Sequence, residues 1–307
     1  MFDWNDLRHF LAVARFGSTL AAAKALNVNQ STVHRRLDEL EKRLGRQLVV
    51  RQPTGYKLTE LGQDIVTYAE QVEEAVQAFE RRLAASDTGL TGSVRVTCPE
   101  AIGVRLLHSP FVAKFNERYP DLRVEFILSD KLLDLAKGEA DIAIRATAPF
   151  DEALFGRKIA DTRWGIYAAH AYIERAGTIT DVADIALHSV ALYDIEHHVT
   201  KAWLQSVAPG ARVAARCNSM TALLSAAKSG VGLAALPMTI GDNDPGLVRV
   251  LGPIPGLTTN FYLLMHRDMK TTPRVRALFN FFIENLNIVR PILAGESSAL
   301  MANAQSR

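Results

Sequence analysis

One stretch divides the chain before anything else is known of it. Leu61, Ile65, Tyr68, Val72, Ala75, Phe79 and Leu83 recur at spacings of 4, 3, 4, 3, 4 and 4, close to the repeat of about 3.5 residues that marks a coiled-coil seam. Thr59 is placed to cap the start. A helix over 60–85 would be roughly 38 Å long at ~1.5 Å per residue, and it carries no other apolar stripe wide enough to sit in a globular core. The spacing therefore predicts a helix that pairs with a second copy, against the plainer reading of a surface helix packed on its own domain. A chain of 307 residues has room for a domain on each side of it. At 48% hydrophobic and 22% charged residues, wholesale disorder, collagen-like repeats and low-complexity sequence are excluded.

Before the seam, the period is helical. Leu7, Phe10, Leu11 and Ala14 follow i, i+3, i+4, i+7, and Gly17 ends that helix. Ser18-Thr19 cap a short second helix through Ala21–Ala23, Ala25 and Leu26, whose alanines let a neighbour approach closely. After the turn Asn27-Val28-Asn29, a third helix carries Val33, Leu37, Leu40 and Leu44 on one face and stops at Gly45. A short helix, a turn and a longer helix make a helix-turn-helix. The third helix opens with Gln30, Ser31, Thr32, His34, Arg35 and Arg36, compact hydrogen bonders and cations suited to base edges and phosphates in a major groove. For each residue alone, a solvated face with Ser31 as the helix cap explains it as well. Two β-prone runs, 48–51 and 56–58, flank Gln52-Pro53-Thr54-Gly55 and read as a hairpin wing, with Arg51 and Lys57 on its arms facing phosphates.

After Ser86–Gly92, a turn-rich hinge, the pattern alternates. Strands are expected at Val94–Val96, 124–127, 141–144, 164–167, 190–192, 213–216, 232–236 and 261–264. Helices are expected at 100–117, 131–137, 199–206, 219–229 and 273–289. Alternation of this kind implies parallel sheet in an α/β domain, here two halves joined by two crossings with a cleft between them, the usual place for a small ligand.

The head resembles the LysR-type transcriptional regulators. Leu7-Arg8-His9-Phe10, Gly17-Ser18, Ala21-Ala22, Leu26, Val28–Val33, Leu40-Glu41, Leu44-Gly45, Leu48, Arg51 and Leu58–Gly62 carry the likeness. His34 stands where that family usually has serine. Phe115 with Tyr119-Pro120, Gly138–Ile144, and Ala227 with Gly230–Pro237 extend the likeness to the family's effector-binding domain, which is similar to type 2 periplasmic binding proteins. The resemblance implies a multidomain α and α/β chain. Its parts are a winged helix-turn-helix at 1–59, a linker and dimerisation helix with hinge at 60–92, and a two-lobed body at 93–290. Lobe I takes about 93–162 and 265–290, lobe II about 163–264, and a disordered tail follows at 291–307.

It implies a regulator that binds a pseudo-palindromic duplex through Ser18, Asn29, Gln30, Ser31, Thr32, His34, Arg35, Arg36, Arg51 and Lys57, and that assembles into a homodimer or homotetramer. It also implies a small-molecule effector between the lobes, with Thr97, Cys98, Pro99, Glu100, Ala101, Ser129, Arg145, Asn218, Ser219, Met220 and Thr221 as candidate contacts. Helix starts and Arg145 suit an anion, and Glu100 argues for an amine. The competing reading is a cytoplasmic small-molecule-binding or enzymatic α/β protein with a helical N-terminal extension; the basic third helix and the seam weigh against it.

Charge is unevenly placed. The formal net charge is only +2, from 35 Lys+Arg and 33 Asp+Glu, which as an average argues against a nucleic-acid partner. Residues 1–60, however, hold ten basic and six acidic residues, a net of +4, and the remainder is −2. Two cysteines, Cys98 and Cys217, make no disulfide framework and point to a reducing compartment. They read as buried thiols before redox sensors. The acidic start is unlike a signal peptide, and the most apolar stretch, 220–238, is broken by Lys228, Gly230, Gly232 and Pro237. A cytoplasmic, non-membrane protein is expected. Gly230-x-Gly232-x-x-Ala235 matches a dinucleotide fingerprint as a string but leads into a strand. Asp194, Glu196, His197 and His198 match no common zinc spacing. No metal, cofactor or catalytic residue is expected.

Overall fold

The computed structural model describes residues 3–294 apart from 54, 86–88, 147–150, 178 and 196–197. Parts of the expected hinge and of the discounted metal group (Ser86, Asp87, Thr88, Glu196, His197), and 295–307 of the expected tail, lie outside the described residues. The chain divides into two compact units, Met1–Arg82 and Leu83–Arg307.

In the first unit, α1 (Trp4–Phe16), α2 (Thr19–Leu26) and α3 (Gln30–Leu44) precede a two-stranded antiparallel ribbon of β1 (Val49–Gln52) and β2 (Gly55–Leu58), then α4 (Glu60–Ala85). The apolar stripes read from the sequence close into one core: Phe10, Leu11, Val13, Ala22, Val33, Leu37, Leu40 and Leu48 are fully or almost fully buried. Ser18 caps α2 by accepting from the N–H groups of Leu20 and Ala21, at 3.2 and 3.4 Å. The ribbon is tied down twice. The Glu41 carboxylate accepts from the N–H groups of Leu48 and Val49, at 2.7 and 3.0 Å. The Tyr56 N–H donates to Gly17 O at 2.7 Å. At Gly55, φ is +135° and a Cβ would stand 2.3 Å from Gly17 O, so only glycine fits.

The long helix departs from expectation at its start. Ala69 is 2% exposed and Ile65 and Val66 pack on the head core, so α4 does bury a short stripe there. Beyond it Tyr68, Val72, Phe79 and Leu83 are exposed, at 68%, 39%, 64% and 57%.

The second unit runs β3 (Gly92–Cys98), α5 (Glu100–His108), α6 (Phe111–Arg118), β4 (Leu122–Leu128), β5 (Ile142–Arg145), β6 (Leu154–Ala169), α7 (His170–Ala176), β7 (Ser189–Tyr193), α8 (Val199–Val207), β8 (Arg212–Cys217), α9 (Met220–Lys228), β9 (Leu233–Pro237), α10 (Met238–Gly241), β10 (Leu247–Leu251), β11 (Thr258–His266), α11 (Pro273–Glu284) and α12 (Leu286–Ala294). The strands lie in the order β4-β3-β5-β11-β6-β9-β7-β8, with β10 also on β6. The sheet is mixed rather than parallel. Pairs β3–β4, β3–β5, β7–β8 and β7–β9 are parallel, and every pair made by β6 or β11 is antiparallel. β6 and β11 are the two crossings. β6 pairs with β11 up to Arg163 and with β9 from Trp164, and its side chains pass from the first core (Ile159, Ala160) to the second (Trp164, Ile166). Phe261 and Leu263 lie in the first core and Leu257 in the second, so β11 enters lobe I before Phe261 rather than near 265.

Three other expectations are corrected, each by a side chain that competes for backbone hydrogen bonds. The helix expected over 100–117 is two helices. Pro110 disfavours a helical Ser109, and Ser109 is extended, its Oγ donating to Leu106 O at 2.7 Å and accepting from Phe111 N at 3.2 Å. The helix expected over 131–137 is a turn, because the Asp134 carboxylate accepts from Ala136 N and Lys137 N, at 2.9 and 3.2 Å. The final helix breaks at Asn285, whose amide donates to Phe281 O at 2.9 Å, and then resumes to Ala294. Residues 291–294 are therefore helical, not tail. β6 begins ten residues earlier than the apolar run 164–167, since Arg157, Lys158, Asp161 and Arg163 mask its first half.

Candidate nucleic-acid interface and interlobe cavity

The head presents α3 to solvent along one stripe. Asn29, Gln30, Ser31, His34 and Arg35 are exposed and Thr32 half-buried. Asn29 occupies the cap position of α3 but makes no side-chain cap bond, which leaves its amide available. Gln30 is oriented by donating from Nε2 to Thr19 Oγ1 at 3.0 Å, across the turn from α2. Arg35 pairs with Glu39 at 3.0 Å and His34 with Asp38 at 3.3 Å, both one turn along the same helix and exposed. Such pairs are weak in water and leave both side chains free to exchange partners.

Arg36 is different. It reaches the Asp6 carboxylate at 3.1 Å, Arg43 reaches the other oxygen at 2.9 Å, and Asp6 is fully buried. Arg36, expected on the outward face, is turned back to join α3 to α1. Ser18 likewise spends its hydroxyl as a cap. In the ribbon, Arg51 is opposite Tyr56 and Lys57 opposite Val50. Directly paired residues share a face and neighbours along a strand alternate, so Arg51 and Lys57 point to opposite faces of the wing rather than to one. Arg15 fastens α1 to α4 through Glu73 at 2.7 Å and Glu70 at 3.4 Å, and its bond to Glu73, above its loss of water, raises an already high pKa.

The second unit holds a cavity of about 350 Å³. Of the expected positions, Thr97, Cys98, Pro99, Ala101, Ser129, Arg145 and Met220 line it; Glu100, Asn218, Ser219 and Thr221 do not. Those last four lie at a junction beside it. Ser219 caps α9 by accepting from Ala222 N at 3.1 Å, and Thr221 Oγ1 donates to Glu100 Oε2 at 3.2 Å. The start of α9 is already filled: the Asp130 carboxylate accepts from Met220 N at 3.0 Å.

Sequence reading missed much of the wall. Arg105, Asp130, Lys131, Thr162, Trp164, Tyr193, His198, Phe261, Ile292 and Leu293 all line it. Arg105 stands one turn beyond Ala101 on α5, so helical spacing alone could have found it. Thr162 and Trp164 lie on the crossing strand, where no local signal marks a ligand wall. His198, Trp164 and Tyr193 form an edge-to-face cluster, with His198 5.4 Å from Trp164 and 4.7 Å from Tyr193.

Electrostatics follow from burial. Desolvation lowers the His198 pKa to about 4 although Asp130 opposes it, so the ring is neutral at pH 7. Burial, with Asp130 adding to it, pushes the Cys98 thiol up to about 12; a thiol so protonated is a poor redox sensor. Cys217 is also buried and raised by desolvation. Arg145 is lowered by burial, against the pull of Asp134 and Glu139, and donates to Leu133 O. Among the described residues, no group of three or more His, Cys, Asp or Glu could hold a metal ion, and no helix is long and apolar enough to cross a membrane.

A winged head on a long helix, followed by two α/β lobes around a ligand-sized cavity, defines a one-chain regulator that joins a nucleic-acid module to a sensing module. Comparison with known proteins agrees. The family described as "Bacterial regulatory helix-turn-helix protein, lysR family" matches residues 4–63, and the "LysR substrate binding domain" matches residues 87–287. An HTH-type transcriptional regulator of Xanthomonas campestris is 29% identical over 315 residues, covering 98% of this chain and 90% of that protein. The regulator CrgA of Neisseria meningitidis is 28% identical, over 92% of this chain and 96% of its own. The CrgA structure superposes with a TM-score of 0.56 at 27% identity, covering 93% of this chain and 99% of that one. The Vibrio cholerae virulence activator AphB shares the fold, with a TM-score of 0.62 at 23% identity, covering 92% and 99%. The chain belongs to the LysR family of transcriptional regulators. It is a DNA-binding regulator with an effector-binding domain, and its named relatives are regulators, not enzymes.

Proposed function

We propose that the chain reads DNA through the outward stripe of α3 and controls that binding from the interlobe cavity. The observation that carries this is the contrast between two neighbouring arginines. Arg35 lies on the exposed face beside Gln30, Ser31, Thr32 and His34, while Arg36 is committed to buried Asp6. Base-reading roles fall to Asn29, Gln30, Ser31, Thr32, His34 and Arg35. Arg51 and Lys57 reach phosphates on either side of the wing, and Arg36 and Ser18 hold the head's shape. The exposed Tyr68, Val72, Phe79 and Leu83 of α4 meet a second copy, so that two heads address a pseudo-palindromic site; dimers or tetramers in the cytoplasm follow. A small effector in the cavity acts by binding one lobe arrangement better than another.

The test uses a duplex enriched from a random library on the full chain. Arg35→Ala weakens that duplex by about 1–3 kcal/mol with an unchanged circular dichroism spectrum, whereas Arg36→Ala lowers thermal stability. Equal affinity for wild type and Arg35→Ala removes Arg35 from the interface and with it the contrast on which this reading rests.

A further inference from the structure

We infer that Asp130 acts as a built-in anion on the start of α9, and that a ligand carboxylate is received instead by Arg105 and Thr162, which line the same cavity. This rests on the ligand-cavity reading above and names the ligand's chemistry: an apolar body with one carboxylate.

The first observation is occupancy. A helix start offers unpaired N–H groups to an anion, and α9 opens toward the cavity at Met220. Its N–H is taken by Asp130, from the opposite lobe, at 3.0 Å. Beside it Thr221 is engaged by Glu100, also from the opposite lobe, at 3.2 Å. Asp130 thus fills the place where a ligand's own carboxylate would be sought first, and its charge, with that of Glu100 just outside the lining, repels another.

The second observation is an unmet need elsewhere in the lining. Thr162 is 1% exposed, lines the cavity, and its Oγ1 has no hydrogen-bond partner. An orphaned buried hydroxyl is costly unless something meets it. Arg105 lines the same cavity, half-buried, with no acid or hydrogen-bond acceptor against it among the described residues, and loss of water lowers its pKa. Arg145, by contrast, has Asp134 and Glu139 beside it. Of the three lining cations, Lys131 is exposed to water and Arg145 has acids beside it, so Arg105 is the half-buried one that a ligand would neutralise, and it can hold a carboxylate bidentately. Ile102, Phe261, Ile292 and Leu293 line the same cavity and suit an apolar body.

The test titrates the full chain with phenylacetate and with phenethylamine, an aryl anion and an aryl cation, and reads apparent affinity from the rise in Tm. Phenylacetate stabilises the wild type and phenethylamine does not. Arg105→Gln weakens phenylacetate roughly tenfold or more. Thr162→Val weakens it less and leaves the ligand-free Tm the same or higher, since no internal bond is lost. Asp130→Ala added to Arg105→Gln restores phenylacetate binding, by freeing Met220 N–H. Phenylacetate affinity unchanged in Arg105→Gln overturns the assignment while leaving a ligand cavity in place, as does stabilisation by phenethylamine alone. No stabilisation by either probe overturns the ligand-cavity reading with it.

Discussion

Asp6 is the residue on which the head's charge distribution turns. Fully buried, it draws Arg36 and Arg43 to its two oxygens and so converts two of the head's cations into a brace between α1 and α3. Asp6→Ala is expected to lower the stability of the chain by about 2 kcal/mol, measured as the shift of the first unit's urea transition. In the body, His198 makes a prediction with a sign. Its folded pKa, depressed to about 4 by burial, lies below the ordinary value near 6.5. Between those values the unfolded chain binds the proton and the folded chain does not, so the stability it contributes is complete above pH 6.5 and lost as pH falls toward 4. His198→Gln should flatten that part of the stability profile, followed by thermal unfolding across the interval. Neither residue advertises its role locally. Asp6 meets Arg36 only because α1 and α3 pack together, and the His198 pKa is lowered only because the fold buries the ring, beside Trp164 and Tyr193.

Elements were far more legible than contacts. The stripes Leu7-Phe10-Leu11 and Val33-Leu37-Leu40 name their own buried faces, since one helical period both makes the stripe and fixes the core. Most strands of the body are legible as apolar runs between turns, but β10 (Leu247–Leu251), broken by Arg249, is not among those expected. The helix misreadings share a cause. Ser109, Asp134 and Asn285 each interrupt a helical pattern with a side chain that bonds the backbone, and hydropathy does not register hydrogen bonds. β6 was half missed because a crossing strand exposes charged residues in one lobe and buries its run in the other. The seam of α4 needs the same care. Ile65 faces the head, and Tyr68, Val72, Phe79 and Leu83 remain exposed. Glutamates at Val72 and Phe79 together should dissociate the chain to monomers in sedimentation velocity and leave the head's helical content intact. A doubly substituted chain that still sediments as a dimer places the interface elsewhere.

At the scale of the molecule, a net charge of +2 conceals a division of labour. The first 60 residues carry +4 and the rest −2, and the structure refines where the basic charge is available. Arg15, Arg36 and Arg43 are bound to acids on another helix of the unit, while Arg35, paired only with Glu39 one turn along its own helix, and the ribbon's Arg51 and Lys57 stand outward. The body's cavity was legible as a place, from the ends of β3, β4 and β5, but not as a chemistry. Part of its lining comes from α12 and the crossing strands, which join it only after the chain has folded. The central claim is that the head engages a polyanion with several cations at once. It is tested most directly by the affinity of the full chain for a mixed-sequence DNA duplex as salt is raised. Each phosphate engaged contributes roughly −0.9 to the slope of log K against log salt. A slope steeper than about −3, shallower for Arg51→Ala with Lys57→Ala, is the expected result; a slope near zero would contradict it.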